Sequence, residues 1–292
     1  METMGHQKQR EFLKKAIKRG IFSHAYLFSG QEKLGKKKIA LEAMSLLLGI
    51  DAEKQHPDLM TIEPIEGEVK ISQIRDLILW LSLRPYSAQF KGAIINSAQL
   101  MNQDAQTALL KTLEEPKGKT ILILISENSD HLLPAILSRV QTIKFYPVAK
   151  EEIKKYLKGQ NVPEKKAEEI AKISLGRPGE VVEHILDPKK LEFFEEKIKE
   201  LNNISKSELS LRFQWAKDLS ENCQGIKETL DIWTIYFRNA LMEKIVPSGS
   251  GADPSGAKKI KKILNLIQST RLLILTTNAS VRLALETLML EL

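Results

Sequence analysis

Residues Gly30-Gln31-Glu32-Lys33-Leu34-Gly35-Lys36-Lys37 decide how the rest of the chain is read. The apolar run Tyr26-Leu27-Phe28 comes before them, and a helical run over residues 38–48 follows. A glycine-spaced loop between a strand and a helix can turn its backbone N–H groups inward. The helix N-terminus adds positive potential, and a lysine at the place of Lys36 reaches the outer phosphates of a nucleotide. The complete pattern ends in Lys followed by Ser or Thr, whose hydroxyl ligates Mg²⁺. Here Lys37 holds that last place, and an ammonium group cannot ligate a metal. The plainer alternative is a glycine-containing turn that opens a basic helix.

Working outward, strand-like runs fall at residues 25–29, 58–62, 92–97, 121–126 and 142–146. Ile94-Ile95 and Ile121-Leu122-Ile123-Leu124-Ile125 are continuously apolar, as strands buried on both faces must be. Amphipathic stretches at 72–82 and 102–115 lie between them. Strands alternating with helices predict an α/β domain with a parallel five-stranded sheet over residues 1–147. The strand Gly92-Ala93-Ile94-Ile95 ends in Asn96-Ser97. A working phosphate-loop ATPase places carboxylates there to hold Mg²⁺ and orient water. Asn96 and Ser97 carry no charge and cannot act as general base near neutral pH. With no hydroxyl after Lys36 and no carboxylate at the end of this strand, the expectation is a chain that does not split nucleotide unaided.

Pro147 closes this region. Helical patterns at 150–158, 164–174 and 178–186, punctuated by Gly159, Pro163, Gly176 and Pro178, predict a small helical domain over 148–186. From Asp187 onward no strand pattern survives. Leu191, Phe194, Ile198 and Leu201 recur at helical spacing, as do Leu230, Trp233, Phe237 and Leu241. Residues 187–292 therefore read as an all-helical domain. Ser205 and Glu208 resemble a capping box. Residues 247–256, rich in Gly, Ser and Pro, read as a surface loop.

The 292 residues carry 44 Lys+Arg against 37 Asp+Glu, a formal net charge of +7. Such a balance is compatible with nucleic acid but decides nothing alone. The single cysteine, Cys223, excludes a disulfide framework or a Cys-based zinc site within one chain and reads as a small hydrophobe on a helix. No apolar run reaches the about 18 residues of a membrane span, and the start lacks an apolar signal core, so a cytoplasmic location is expected.

The segments "QTALLKTLEEP" (106–116) and "LLPAILSRV" (132–140), with "HAYLFSG" (24–30), His56-Pro57-Asp58 and the terminal "VRLALETLMLEL", carry a resemblance. They are similar to bacterial DNA polymerase III clamp-loader subunits of the AAA+ class, and within them to the delta-prime branch rather than the longer gamma/tau ATPase branch. The resemblance implies an AAA+ core (1–147), a helical lid (148–186) and a collar (187–292) through which subunits join a hetero-oligomeric ring. It implies gamma/tau and delta subunits, a sliding clamp and primed DNA as partners in DNA replication, no membrane, and no cofactor beyond weak or vestigial binding of ATP with Mg²⁺.

By the same resemblance, Arg139 of "LSR" is an arginine finger reaching ATP on a neighbouring subunit; taken alone, it is a surface arginine pairing with a local carboxylate. Arg75, near a helix start, is a candidate DNA-phosphate contact; taken alone, it is a solvated helix charge. In active relatives the lid carries Gly-x-x-Arg. Alignment on Gly176 puts Gly179 in the arginine's place, and Arg177 is not assumed to substitute. Ser126, Glu127 and Asn128 all lie near the polar sensor position. The four-cysteine zinc module of many relatives is absent between Leu48 and His56. Lys258, Lys259, Lys261 and Lys262 read as a solvated face. Two other functions stay open: an active gamma/tau-like ATPase, kept alive by Gly30, Gly35 and Lys36, and a DNA-binding protein acting outside any ring.

Overall fold

The computed structural model describes residues 4–51, 54–116, 118–221, 223–245, 254–276 and 280–292. Five strands, β1 (Ala25–Ser29), β2 (Leu59–Ile62), β3 (Lys91–Ile95), β4 (Thr120–Ser126) and β5 (Gln141–Lys144), form one sheet in the order β2-β3-β4-β1-β5, and all neighbours are parallel. The five strands coincide with the expected runs to within two residues at each end.

Register explains the doubly apolar centre. Ile94 pairs with Ile123, Ile95 with Leu124, and Leu27 also with Leu124. Successive side chains alternate across the sheet. Ala25, Leu27, Ala93, Ile95, Leu122 and Leu124 thus enter one apolar cluster, with α3 (Ile71–Leu81), α4 (Gln103–Glu114) and the short α5 (Pro134–Leu137). Tyr26, Phe28, Ile94, Ile121, Ile123 and Ile125 enter the other, with α1 (Gln7–Lys18) and α2 (Lys36–Leu48). Each fully buried Ile or Leu contributes about 1.5–3 kcal/mol relative to exposure. A one-residue slip would exchange the two faces, so the register is strongly specified.

Local signals start the helices. Asn102 Oδ1 accepts from the amide of Ala105 at 2.9 Å and caps α4. Gly35, at φ 87°, turns the chain into α2. The remaining helices are α6 (Lys150–Gly159), α7 (Glu164–Ile173), α8 (Pro178–Leu186), α9 (Pro188–Lys206), α10 (Leu209–Glu221), α11 (Cys223–Ile245), α12 (Pro254–Thr276) and α13 (Val281–Met289).

The chain divides into two compact units, Met1–Ala167 with Gly176–Val181, and Glu168–Leu175 with Val182–Leu292. The division runs through α7 and α8, so the segment 148–186 contributes to both. The second unit is all-helical. Its core gathers Leu201, Ile226, Leu230, Ile267, Leu285 and Leu288 around the fully buried Trp233, which stacks on Trp215 at 5.1 Å.

Two sequence expectations need correction. Ser205 does not open a helix: α9 runs through it to Lys206, and its hydroxyl donates to the carbonyl of Asn202 at 3.0 Å. Ser207 ends α9, and Arg212 donates to the Ser205 and Ser207 carbonyls, satisfying the last turn. Of the expected loop at 247–256, residues 247–253 lie outside the described residues, while Pro254 begins α12, proline being suited to a first helical turn. Cys223 is the first residue of α11; the burial expected of its side chain lies outside the described residues. Among the described residues, no helix is long and apolar enough to cross a membrane.

Candidate functional site

The loop 30–35 leaves the carboxyl end of β1, and the ends of β3 and β4 lie in the same part of the sheet, beside it. In open α/β sheets ligands bind outside the carboxyl ends of the strands. A cleft of about 260 Å³ opens here, lined by Glu32, Lys33, Gly35, Lys36, Lys37, Asn96, Ser97, Ser126, Glu127 and Gly179 among others. The structure therefore brings together Gly35, Lys36, Lys37, Asn96 and Ser97, predicted from distant stretches of sequence. Gly30 holds the loop's start by donating its amide to the carbonyl of Ser126 at 3.2 Å.

Lys36 is 6% exposed. Its ammonium donates to the carbonyl oxygens of Gly30 and Gln31, folding back on its own loop. Burial lowers its pKa to about 8, with Glu127 and Glu32 opposing the shift.

Lys37 points to a group that sequence reasoning missed. Its Nζ lies 2.8 Å from Glu63 Oε1, and Asn96 Nδ2 donates to Glu63 Oε2 at 2.8 Å. The expectation of no acidic side chain at this place is thus corrected: β3 offers none, but the residue directly after β2 supplies one from next door. Ile62 pairs with Ile95, so residues 63 and 96 leave adjacent strand ends. That register was the signal that could have found Glu63. Ser97 takes a left-handed conformation, φ 51°.

The first turn of α8 closes over the loop. The amide of Gly179 donates to the carbonyl of Lys33 at 2.7 Å. Glu180 pairs with Lys33 at 3.2 Å and with Arg177 at 3.5 Å. A Cβ on residue 179 would sit 2.9 Å from the Lys33 Cβ and 3.0 Å from its carbonyl oxygen, so only glycine fits this approach. Of the three sensor candidates, Ser126 and Glu127 line the cleft; the Asn128 side chain instead accepts from the amide of Asp130.

Arg139 lies beyond α5. Its guanidinium is 2.7 Å from Glu114 Oε1, at the end of α4, and donates to the Ala135 carbonyl at 2.8 Å. Its side chain keeps 35% of its exposure. Buried Gln106 fixes the segment leading to it, accepting from the Leu133 amide at 2.7 Å and donating to the carbonyls of Met101 and His131. Arg75 is exposed on α3. Lys258, Lys259, Lys261 and Lys262 are exposed on α12, and Lys262 pairs with Glu291 at 2.7 Å.

Asp58, just before β2, is fully buried and accepts from the amides of Tyr86, Ser87 and Ala88 at 2.6–2.8 Å. Burial works to raise its pKa, but these bonds outweigh it and hold the carboxyl below its usual range. Nearby, His56 Nδ1 accepts from the Asp58 amide, so its proton sits on Nε2 and it cannot serve as a base for Ser87, 3.4 Å away. Among the described residues no group of three or more His, Cys, Asp or Glu is placed to hold a metal.

Residues 5–149 match the family described as "DNA polymerase III, delta subunit". The chain is 34% identical over 139 residues to the DNA polymerase III subunit delta' of Pseudomonas aeruginosa, covering 41% of this chain and 42% of that one. It is 32% identical over 167 residues to the Bacillus subtilis subunit of that name, covering 52% and 51%. The chain thus spans about half the length of these curated relatives or less. A solved gamma subunit-related protein from Thermotoga maritima shares the fold over 97% of both chains, with a TM-score of 0.50 at 18% identity. The α/β core with its parallel sheet and helical C-terminal region has an AAA+ fold, and over residues 5–149 the chain is similar to clamp-loader delta-prime subunits.

Proposed function

We propose that this chain is the non-hydrolysing, delta-prime-like subunit of a clamp loader, part of a DNA polymerase III holoenzyme, with no ATPase activity of its own. It would join gamma/tau and delta subunits in a hetero-oligomeric ring in the cytoplasm and help place a sliding clamp on primed DNA. The observation that carries the reading is the Lys37–Glu63 ion pair at 2.8 Å. The residues at this place do not fit a magnesium-bound nucleotide: an ammonium stands where the hydroxyl ligand belongs, and Asn96 where the first carboxylate belongs. The loop and strand would then be degenerate forms of the nucleotide-binding motifs, with Gly30, Gly35 and Lys36 as their remnant and any ATP bound weakly.

In this reading residues 1–147 are the AAA+ core, 148–186 the lid and 187–292 the collar. Arg139 reaches ATP on a neighbouring subunit in trans, where an arginine finger contributes about 10³–10⁵ in rate. Its exposure and its place on a segment fixed by Gln106 support that role. Arg75 would contact DNA phosphate, positioning the duplex without reading its sequence.

Co-purification with the ATPase and clamp-opening subunits tests the proposal. One stable ring is expected, with clamp- and DNA-dependent hydrolysis raised by this chain and no turnover by the chain alone. Steady hydrolysis by the lone chain, abolished by Lys36→Ala, would instead establish a gamma/tau-like ATPase.

A further inference from the structure

We infer that Lys37 and Glu63 together decide what the cleft refuses: the Lys37 ammonium stands in for a divalent ion with Glu63 as its counter-charge, and Glu63 is the carboxylate that takes up a metal once the ammonium is removed. This rests on reading the loop 30–37 as a phosphate-binding loop, and it goes beyond the missing carboxylate on β3.

Glu63 lies where its two oxygens reach both neighbours at once, Oε1 to Lys37 Nζ at 2.8 Å and Oε2 to Asn96 Nδ2 at 2.8 Å. Magnesium prefers hard oxygen donors, and one or two carboxylates with water and phosphate oxygens complete its shell. Glu63 is such a donor at the right end of the sheet, beside the strand that normally carries it. What blocks a metal is charge. Lys37 and Glu63 cancel, so an incoming cation meets an ammonium at contact distance instead of a free carboxylate.

The two side chains keep 49% and 44% of their exposure, and both line a second, open cavity of about 770 Å³ beside β2, while Lys37 also lines the cleft. Glu63 Oε1 itself is covered in the ion pair, so it is removal of the Lys37 ammonium that would open this oxygen to an aqueous ion. Lys37 lies in the first turn of α2. A threonine or serine there would put a hydroxyl in the metal ligand's place and release Glu63 in one step.

The test uses the full chain and manganese-bound, non-hydrolysable ATP analogue, with binding read by titration calorimetry and coordination by manganese paramagnetic resonance. Circular dichroism checks that each variant is folded. The wild type is expected to bind no metal–nucleotide. Lys37→Thr and Lys37→Ser should each gain binding with a perturbed manganese spectrum. Adding Glu63→Gln to either should weaken that binding by about tenfold or more. The inference is overturned if neither folded variant gains binding, if the gain survives Glu63→Gln, or if the wild type binds manganese nucleotide as tightly as the variants. Hydrolysis by the wild-type chain would sink the proposed function separately, and the Glu63 comparison would still be read.

Discussion

The amide of Gly179 donates to the carbonyl of Lys33 at 2.7 Å, so the first turn of α8 rests on a loop far earlier in the chain. The contact leaves no space for a Cβ at residue 179. An arginine at this place, which the resemblance to active clamp-loader subunits would put there, would therefore collide with the loop. Gly179→Ala and Gly179→Arg should each lower stability by about 1–3 kcal/mol, read as an earlier urea midpoint. An unchanged midpoint in Gly179→Arg would show that the close approach is not maintained in solution.

Asp58 anchors the chain between α3 and β3 through three amides. Asp58→Ala leaves those donors without their acceptor, and a loss of about 3 kcal/mol or more is expected. The pH dependence follows from its lowered pKa. A carboxyl held below its unfolded value contributes stability that is present above the unfolded pKa and lost as pH falls through the folded one. The stability gap between wild type and Asp58→Ala should thus be constant near neutrality and shrink only in acid below the ordinary carboxylate range.

Lys36 gives a slope of the same sign, but in base. Its pKa of about 8 lies below the usual 10.5. Between these values the unfolded chain holds more protons than the folded one, so stability rises with pH across the window. Measured against Lys36→Met, the wild type should gain on the order of 3 kcal/mol from pH 8 to pH 10.5, with no relative change below. A flat difference across the window would mean the ammonium is not desolvated.

Arg139→Ala separates a local role from a role in trans. In the isolated chain its pair with Glu114 is half-exposed, and the loss should be no more than about 1 kcal/mol. In a ring assembled with ATPase subunits, turnover at the site it reaches should fall by about 10³-fold or more. Full stimulation by a properly assembled Arg139→Ala ring would remove the finger from the account.

Trp233 tests the second unit. It is fully buried and stacked on Trp215. Trp233→Ala should cost about 3–5 kcal/mol, seen as early loss of helical signal, whereas Lys258→Ala, on the exposed face of α12, should change stability by less than about 0.5 kcal/mol.

Much of the α/β core was legible because its signals are local. Five apolar runs at strand length, each bounded by a polar or glycine-bearing turn, leave little choice but a buried parallel sheet, and the loop at Gly30–Lys37 could be placed between β1 and α2 from its neighbours alone. The helix junction near Ser205 was misplaced because a Ser-x-x-Glu spacing occurs within helices as readily as at their starts. Only the carbonyls captured by Arg212 reveal where α9 ends.

The sequence by itself determined which elements form and which chemical groups β3 and the loop lack, since both depend on periodicity and side-chain type at adjacent positions. Tertiary structure alone decided what stands in their place. Glu63 meets Lys37 and Asn96 because β2 and β3 pair in register, Glu114 meets Arg139 because α4 ends beside the segment after α5, and Gly179 meets Lys33 because α8 folds back onto the loop. Such partners lie far apart in the chain, and no pattern of neighbouring residues encodes a distance between them.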